Sequence, residues 1–141
     1  MTRAALLFVF WCLSLSVSAV RSADAADDLL GKFTGRPMRY HAAPFAEGIV
    51  EELEVRRDNG DFTLDATMNA MNFETGMDHV SNTFWHLSGH GKLVRGRIRF
   101  TYEARYAGGS TETGHGVFRR AGRRFILKVD KAEYVVRRKG T

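Results

Sequence analysis

The stretch Trp85–Tyr106, "WHLSGHGKLVRGRIRFTYEARY", decides the fold. With Arg95-Gly96 as a two-residue turn, the residues on either side pair in a fixed register. Leu93 then opposes Ile98, Gly91 opposes Phe100, Gly89 opposes Tyr102, Leu87 opposes Ala104 and Trp85 opposes Tyr106. All of these pairs fall on one face, and that face is apolar. The opposite face pairs Lys92 with Arg99, His90 with Thr101, Ser88 with Glu103 and His86 with Arg105. A hairpin buried on one side and wet on the other is a piece of antiparallel sheet.

Three further turns predict the same inner face. Asn59-Gly60 sets Val55 against Leu64, Leu53 against Ala66, Glu51 against Met68 and Ile49 against Ala70. Ala121-Gly122 sets Phe118 against Phe125, Gly116 against Leu127 and Gly114 against Val129. Asp130-Lys131 sets Leu127 against Tyr134 and Phe125 against Val136. The predicted strands are 31–36, 48–58, 61–71, 83–94, 97–106, 113–120, 123–129 and 132–138, with one helical turn within Ala26–Lys32. Longer loops fall at Pro37–Gly48, Asn72–Asn82 and Ala107–Glu112. No helix is long enough for a crossover, so neighbouring strands pair as a meander. The expected fold is all-β: a single antiparallel up-and-down barrel of about eight strands, with a curled β-sandwich as the alternative.

The chain begins with the anatomy of a secretory signal peptide. Arg3 precedes the apolar run Ala4–Val20, and small residues offer cleavage after Ala19 or Ala25. Residues 1–25 are therefore read as a signal peptide, 26–141 as one β-barrel domain, and the mature protein as periplasmic or secreted. Cys12 is the only cysteine, so the mature chain has neither disulfides nor thiolate chemistry and depends on its core alone. The charge is uneven. Asp24–Gly91 carries 5 basic and 12 acidic residues, whereas Lys92–Thr141 carries 14 basic and 4 acidic. Either the second half meets an anionic partner, or acidic and basic strands neutralise each other once folded.

Gly-His-Gly occurs twice, at Gly89–Gly91 and Gly114–Gly116. His86 and His90, four apart on a strand, are separated by about 13 Å. His90 and His115 are two strands apart, about 9.5 Å. Neither pair matches the few ångströms between ligands of one zinc ion, so no metal site and no cofactor are expected. The glycines face inward against bulky residues, where they let a sheet coil sharply beneath a covering aromatic. The histidines face out.

No catalytic motif is present, so enzymatic activity is not expected. Glu51 is the one carboxylate on the inner face of its hairpin, either orienting a ligand or reaching water at the rim. The inner aromatics Trp85, Phe100, Tyr102, Tyr106, Phe118, Phe125 and Tyr134 form a packed core or line a small ligand cavity. On the outer face, the turn at Ala121-Gly122 places Arg119, Arg124 and Arg137 in one row beside Val117, Ile126 and Val135. Arg97, Arg99 and Arg105 extend this basic surface. Like charges in a row destabilise a sheet, which an anionic membrane surface or acidic partner would relieve. Otherwise the long stems cover the aliphatic row with their heads solvated. Nucleic acid is not expected, because the aromatics point inward, and no feature fixes an oligomeric state.

"GKFTG" (Gly31–Gly35) ahead of this meander resembles the lipocalin and wider calycin barrels. Members open with Gly-x-Trp on the first strand, close eight strands around a hydrophobic ligand, and often carry a basic residue on the last strand near that tryptophan. Gly31 and Phe33 match the opening motif with phenylalanine in place of tryptophan, and Arg137 or Arg138 stands in for the basic residue. No Thr-Asp-Tyr occurs; "AEY" at Ala132–Tyr134 is the loose counterpart. The resemblance implies an exported barrel that binds a small apolar or amphipathic ligand. The rival expectation is a non-enzymatic envelope protein that docks on anionic surfaces through its arginines.

Overall fold

Asn59 and Arg95 take φ of 50° and 53°, and the glycines after them take 86° and 75°. Positive φ at both central residues is what a two-residue turn needs to match the twist of its strands. These turns join the long hairpins of a computed structural model that describes residues 26–39, 46–73 and 80–140. The expected signal peptide, Cys12, His41 and His79 lie outside the described residues.

Within them the chain forms β1 (Gly31–Gly35), β2 (Met38–Arg39), β3 (Ala46–Asp58), β4 (Asp61–Phe73), β5 (Val80–Val94), β6 (Arg97–Tyr106), β7 (Thr111–Ala121), β8 (Arg124–Val129) and β9 (Ala132–Arg138). Every pairing is antiparallel, and sequence neighbours pair from β3 through to β9. β1 joins both ends of that meander, setting Phe33 against Leu53 of β3 and against Arg138 of β9. The result is a closed eight-strand barrel, not a curled sandwich. The two-residue β2 lies within the predicted Pro37–Gly48 loop and lengthens the contact with β3 through Met38 and Gly48.

The Trp85–Tyr106 hairpin has the register its sequence predicts, pair for pair. Two other registers differ. In the β3–β4 hairpin the pairing runs as expected from the turn to Leu53–Ala66, then shifts between Val50 and Glu52. Glu51 is the extra residue of a β-bulge, so Val50 rather than Glu51 opposes Met68, and Gly48 rather than Ile49 opposes Ala70. Val50 is fully buried, and Glu51 is exposed. At the other site, the two turn residues are Gly122 and Arg123, one position later than expected. Phe118 therefore opposes Leu127, Gly116 opposes Val129, and Arg119 opposes Ile126. A slip of two in pairing preserves which residues face inward, so the core is as expected but the outer rows are not.

The core fills the barrel from β1 to β9. Phe33, Phe118 and Phe125 form its aromatic centre, with ring centroids 4.8–5.9 Å apart. Beside them the helical turn at Ala26–Asp28 lies against the barrel end. Its Ala26 and Leu29 are buried, and its amides close through Leu29 N–H to Ala26 O at 3.1 Å. Three arginines from three strands hold this plug. Arg57 reaches Asp27 at 3.4 Å, Arg120 reaches Asp28 at 2.6 Å, and Arg138 donates to the carbonyls of Leu30 and Asp28. Arg138, not Arg137, is the late basic residue beside Phe33, with its guanidinium 5.1 Å from the ring centre.

The repeated glycines are explained by close approach. A Cβ on Gly116 would lie 2.3 Å from Phe100 Cζ and 2.7 Å from the Lys128 carbonyl, and one on Gly91 would lie 2.0 Å from the Arg99 carbonyl. Gly114 accommodates Tyr102 in the same way. Backbone cannot retreat as a flexible side chain does, so Gly91→Ala and Gly116→Ala should each destabilise the fold by about 2–3 kcal/mol or more. Exposed His90 and His115 between them should tolerate alanine within about 0.5 kcal/mol. Urea unfolding of the four variants checks this; histidine variants as damaging as the glycine ones would contradict it.

Candidate ligand site at the barrel mouth

The sequence-predicted ligand residues divide by position. Phe100, Phe118 and Tyr134 are buried; Phe118 packs edge-on against Phe33, and Phe100 lies over the glycines. These are core residues of the described barrel. Glu51 is outside it altogether. The bulge turns its side chain to the outer wall, where its carboxylate accepts from Asn69 Nδ2 at 3.4 Å. Its backbone carbonyl accepts from Thr34 Oγ1 at 3.2 Å. Asn69 is itself buried, and its Oδ1 has no partner among the described residues.

Trp85, Tyr102 and Tyr106 belong together at the barrel end opposite the plug. Trp85 and Tyr106 oppose each other across β5 and β6 and stack with centroids 5.7 Å apart at 28°. Exposure rises along the inner face toward this end: Leu87 and Ala104 are buried, whereas Trp85, Tyr106 and Ala70 are half-buried. Glu112 completes the group. It shares the inward parity of Gly114, Gly116 and Phe118 on β7, and its carboxylate accepts from the Tyr106 hydroxyl at 3.0 Å. Glu112 falls in the predicted Ala107–Glu112 loop, because alternation predicts a strand only from residue 113. The parity set by Phe118 and the two glycines, extended by one pair, locates it.

Burial pushes the Tyr102 hydroxyl above its ordinary range, and the carboxylates of Asp130 and Glu112 add to the shift. Among the described residues the mouth is thus an apolar ring stack with two phenol hydroxyls, the Glu112 acceptor and the nearby Asp130 carboxylate. It can hold an aliphatic or aromatic group against Trp85 and accept a hydrogen bond from a polar end at Glu112.

The outer arginines are placed differently from expectation. Arg119 opposes Ile126, while Arg124 neighbours Ala121, so Arg119, Arg124 and Arg137 do not form one row. Arg97, Arg99, Arg105, Arg124 and Arg137 are nonetheless exposed. The basic half is only partly neutralised by the acidic half. Among the described residues, ion pairs between the halves run from Arg120 and Arg138 to Asp28, while Arg105 pairs with Glu103 of its own strand.

The raised Tyr102 phenol has a consequence at high pH. Because its folded value lies above the ordinary tyrosine value of about 10, its contribution to stability is fully present below that value. It is lost as pH rises through the raised folded value. Absorbance titration should show a tyrosinate step later than the ordinary range while the fold persists, and Tyr102→Phe should remove it. A titration without a late step, or one unchanged in the variant, would contradict the burial argument.

The chain matches no protein-family model, no curated protein and no solved structure.

Proposed function

We propose that this chain is an exported binding protein for a small apolar or amphipathic molecule, held at the Trp85–Tyr106 end of the barrel. The observation that carries this reading is the asymmetry of the two ends. One is plugged by Ala26 and Leu29 beneath Arg57, Arg120 and Arg138; the other presents a half-buried aromatic stack. An eight-stranded barrel is wide enough to fill with side chains or to hold one small ligand, and a partly exposed ring stack is unfinished packing that an apolar ligand completes. Arg138 over Phe33 supports the lipocalin-like resemblance, and the composition of residues 1–25 supports export. Glu112 refines the ligand. A carboxylate at the mouth repels a fatty acid head group, so the polar end is a hydroxyl or an amine.

A second reading, a non-enzymatic envelope protein docking on an anionic membrane surface or acidic partner, is favoured by one observation. Arg97, Arg99, Arg119, Arg124 and Arg137 form no ion pair among the described residues. Failure to sediment with anionic vesicles, together with failure to bind an acidic polypeptide such as polyglutamate, would exclude it.

Two measurements test the first reading. Native mass spectrometry of protein purified from its host should show a bound small molecule, and a fluorescent long-chain alcohol should bind the emptied protein. Trp85→Ala with Tyr106→Ala should weaken that binding at least tenfold, about 1.4 kcal/mol, without unfolding the barrel. A protein that is empty from its host and ignores both alcohol and amine probes does not have this function.

A further inference from the structure

Two hollows on the outer wall of the barrel differ in how their charges are matched. In one, of about 460 Å³, Arg56 meets Asp65 at 2.9 Å and Arg57 reaches Asp27 at 3.4 Å. In the other, a groove of about 630 Å³ across β5 to β8, Lys92, Arg99 and Lys128 line the wall. None of these three forms an ion pair among the described residues.

The three cations stand in one cross-strand row: Lys92 opposes Arg99, Arg99 opposes Val117, and Val117 opposes Lys128. The row spans roughly 14 Å of backbone at the spacing of neighbouring strands, a distance that long lysine and arginine side chains cover from both sides. Two cations placed directly opposite each other destabilise a sheet, and Lys92 with Arg99 is such a pair. Relief from within the chain is partial: Glu133 opposes Lys128 without an ion pair among the described residues, and Asp130 is the one carboxylate among the described residues of the lining. Between the cations the floor is apolar. It consists of Val117, the backbone at Gly91 and Gly116, and Val94, which is 40 % exposed. One row along, His90 and His115 flank Thr101, and Asp61 lies 3.3 Å from His90.

We propose that this groove binds a soluble phosphate monoester carried on an apolar group. Three cations against Asp130 in the lining and Glu133 at its edge leave the row net positive, and a phosphate monoester, which carries between one and two negative charges near neutral pH, neutralises it. The Arg99 guanidinium offers a two-pronged donor to phosphate oxygens, and the two lysines offer point charges. Val117 and Val94 give the attached group an apolar seat. A hollow in the barrel wall admits a separate molecule to that floor, whereas a flat bilayer surface meets only the rim. The site is distinct from the mouth: its described lining reaches the inner aromatics only at Phe100 and does not include Trp85, Tyr106 or Glu112.

Phenyl phosphate is the probe, titrated into the full chain and followed by amide chemical shifts and calorimetry. It should bind at least tenfold more tightly than inorganic phosphate and shift amides at His115, Val117 and Lys128 but not at Arg124 or Arg137. Arg99→Gln and Lys128→Gln should each weaken it at least tenfold, and Arg124→Gln and Arg137→Gln less than twofold. Equal losses in both pairs of variants would mean diffuse attraction to a basic surface and would overturn the site. So would inorganic phosphate binding as tightly as phenyl phosphate, or phosphatidate vesicles binding the protein without competition from phenyl phosphate. Should a groove variant fail to fold, the wild-type shift map decides alone: shifts centred on Arg124 and Arg137, or none, overturn the proposal.

Discussion

The architecture depends on Arg138 lying over Phe33. Phe33 is the middle of the short strand that closes the barrel, paired to Leu53 on one side and to Arg138 on the other. The guanidinium covers its ring at 5.1 Å, lies 5.6 Å from Phe125, and binds two carbonyls of the plug. One side chain therefore couples sheet closure, the aromatic centre and the cap of one end. A cation over an aromatic contributes about 0.5–2 kcal/mol, and charge-assisted hydrogen bonds about 1.5–3 kcal/mol each. Against a typical total of 5–15 kcal/mol for a domain, losing both would leave β1 poorly held, and β1 is what removes the free edges of β3 and β9.

Closure at that end leaves the opposite end for the proposed ligand. With Ala26 and Leu29 buried over the Phe33 centre, the inner face meets solvent at Trp85, Tyr106 and Glu112. The same glycines that let Phe100 and Tyr102 lie flat against β5 and β7 curve the sheet and shape its outer wall, where Gly91 and Gly116 contribute backbone to the basic groove. Inside and outside are thus two products of one bend. In the functions proposed for them, an apolar ligand completes the packing of the first and an anion relieves the charge of the second.

Much of this was legible in the sequence, and the exceptions have physical causes. Alternation fixes which residues face inward, and turn chemistry fixes register, so the Trp85–Tyr106 hairpin was readable to the residue. A bulge breaks that rule by one position. Ile49 and Val50 are adjacent apolar residues, the trace of a broken alternation, yet a rule that extends parity from Asn59-Gly60 carries straight through them and puts Glu51 inside. The Gly122-Arg123 turn shows the opposite case. A slip of two leaves parity intact, so Phe118 and Phe125 are correctly inside while the imagined row of Arg119 and Arg124 dissolves. The groove cations Lys92 and Arg99 were paired correctly from sequence; Lys128 joins them only through the corrected register.

The central claim is that the barrel is sealed at its Phe33 end and takes its ligand at the Trp85 end. Paramagnetic relaxation by a spin-labelled long-chain alcohol tests it most directly. The account predicts strong broadening at the Trp85 indole and the Tyr106 and Gly114 amides, with Phe33, Phe118 and Leu29 unaffected. Broadening centred on Phe33 and Leu29, or none anywhere in the barrel, would contradict it.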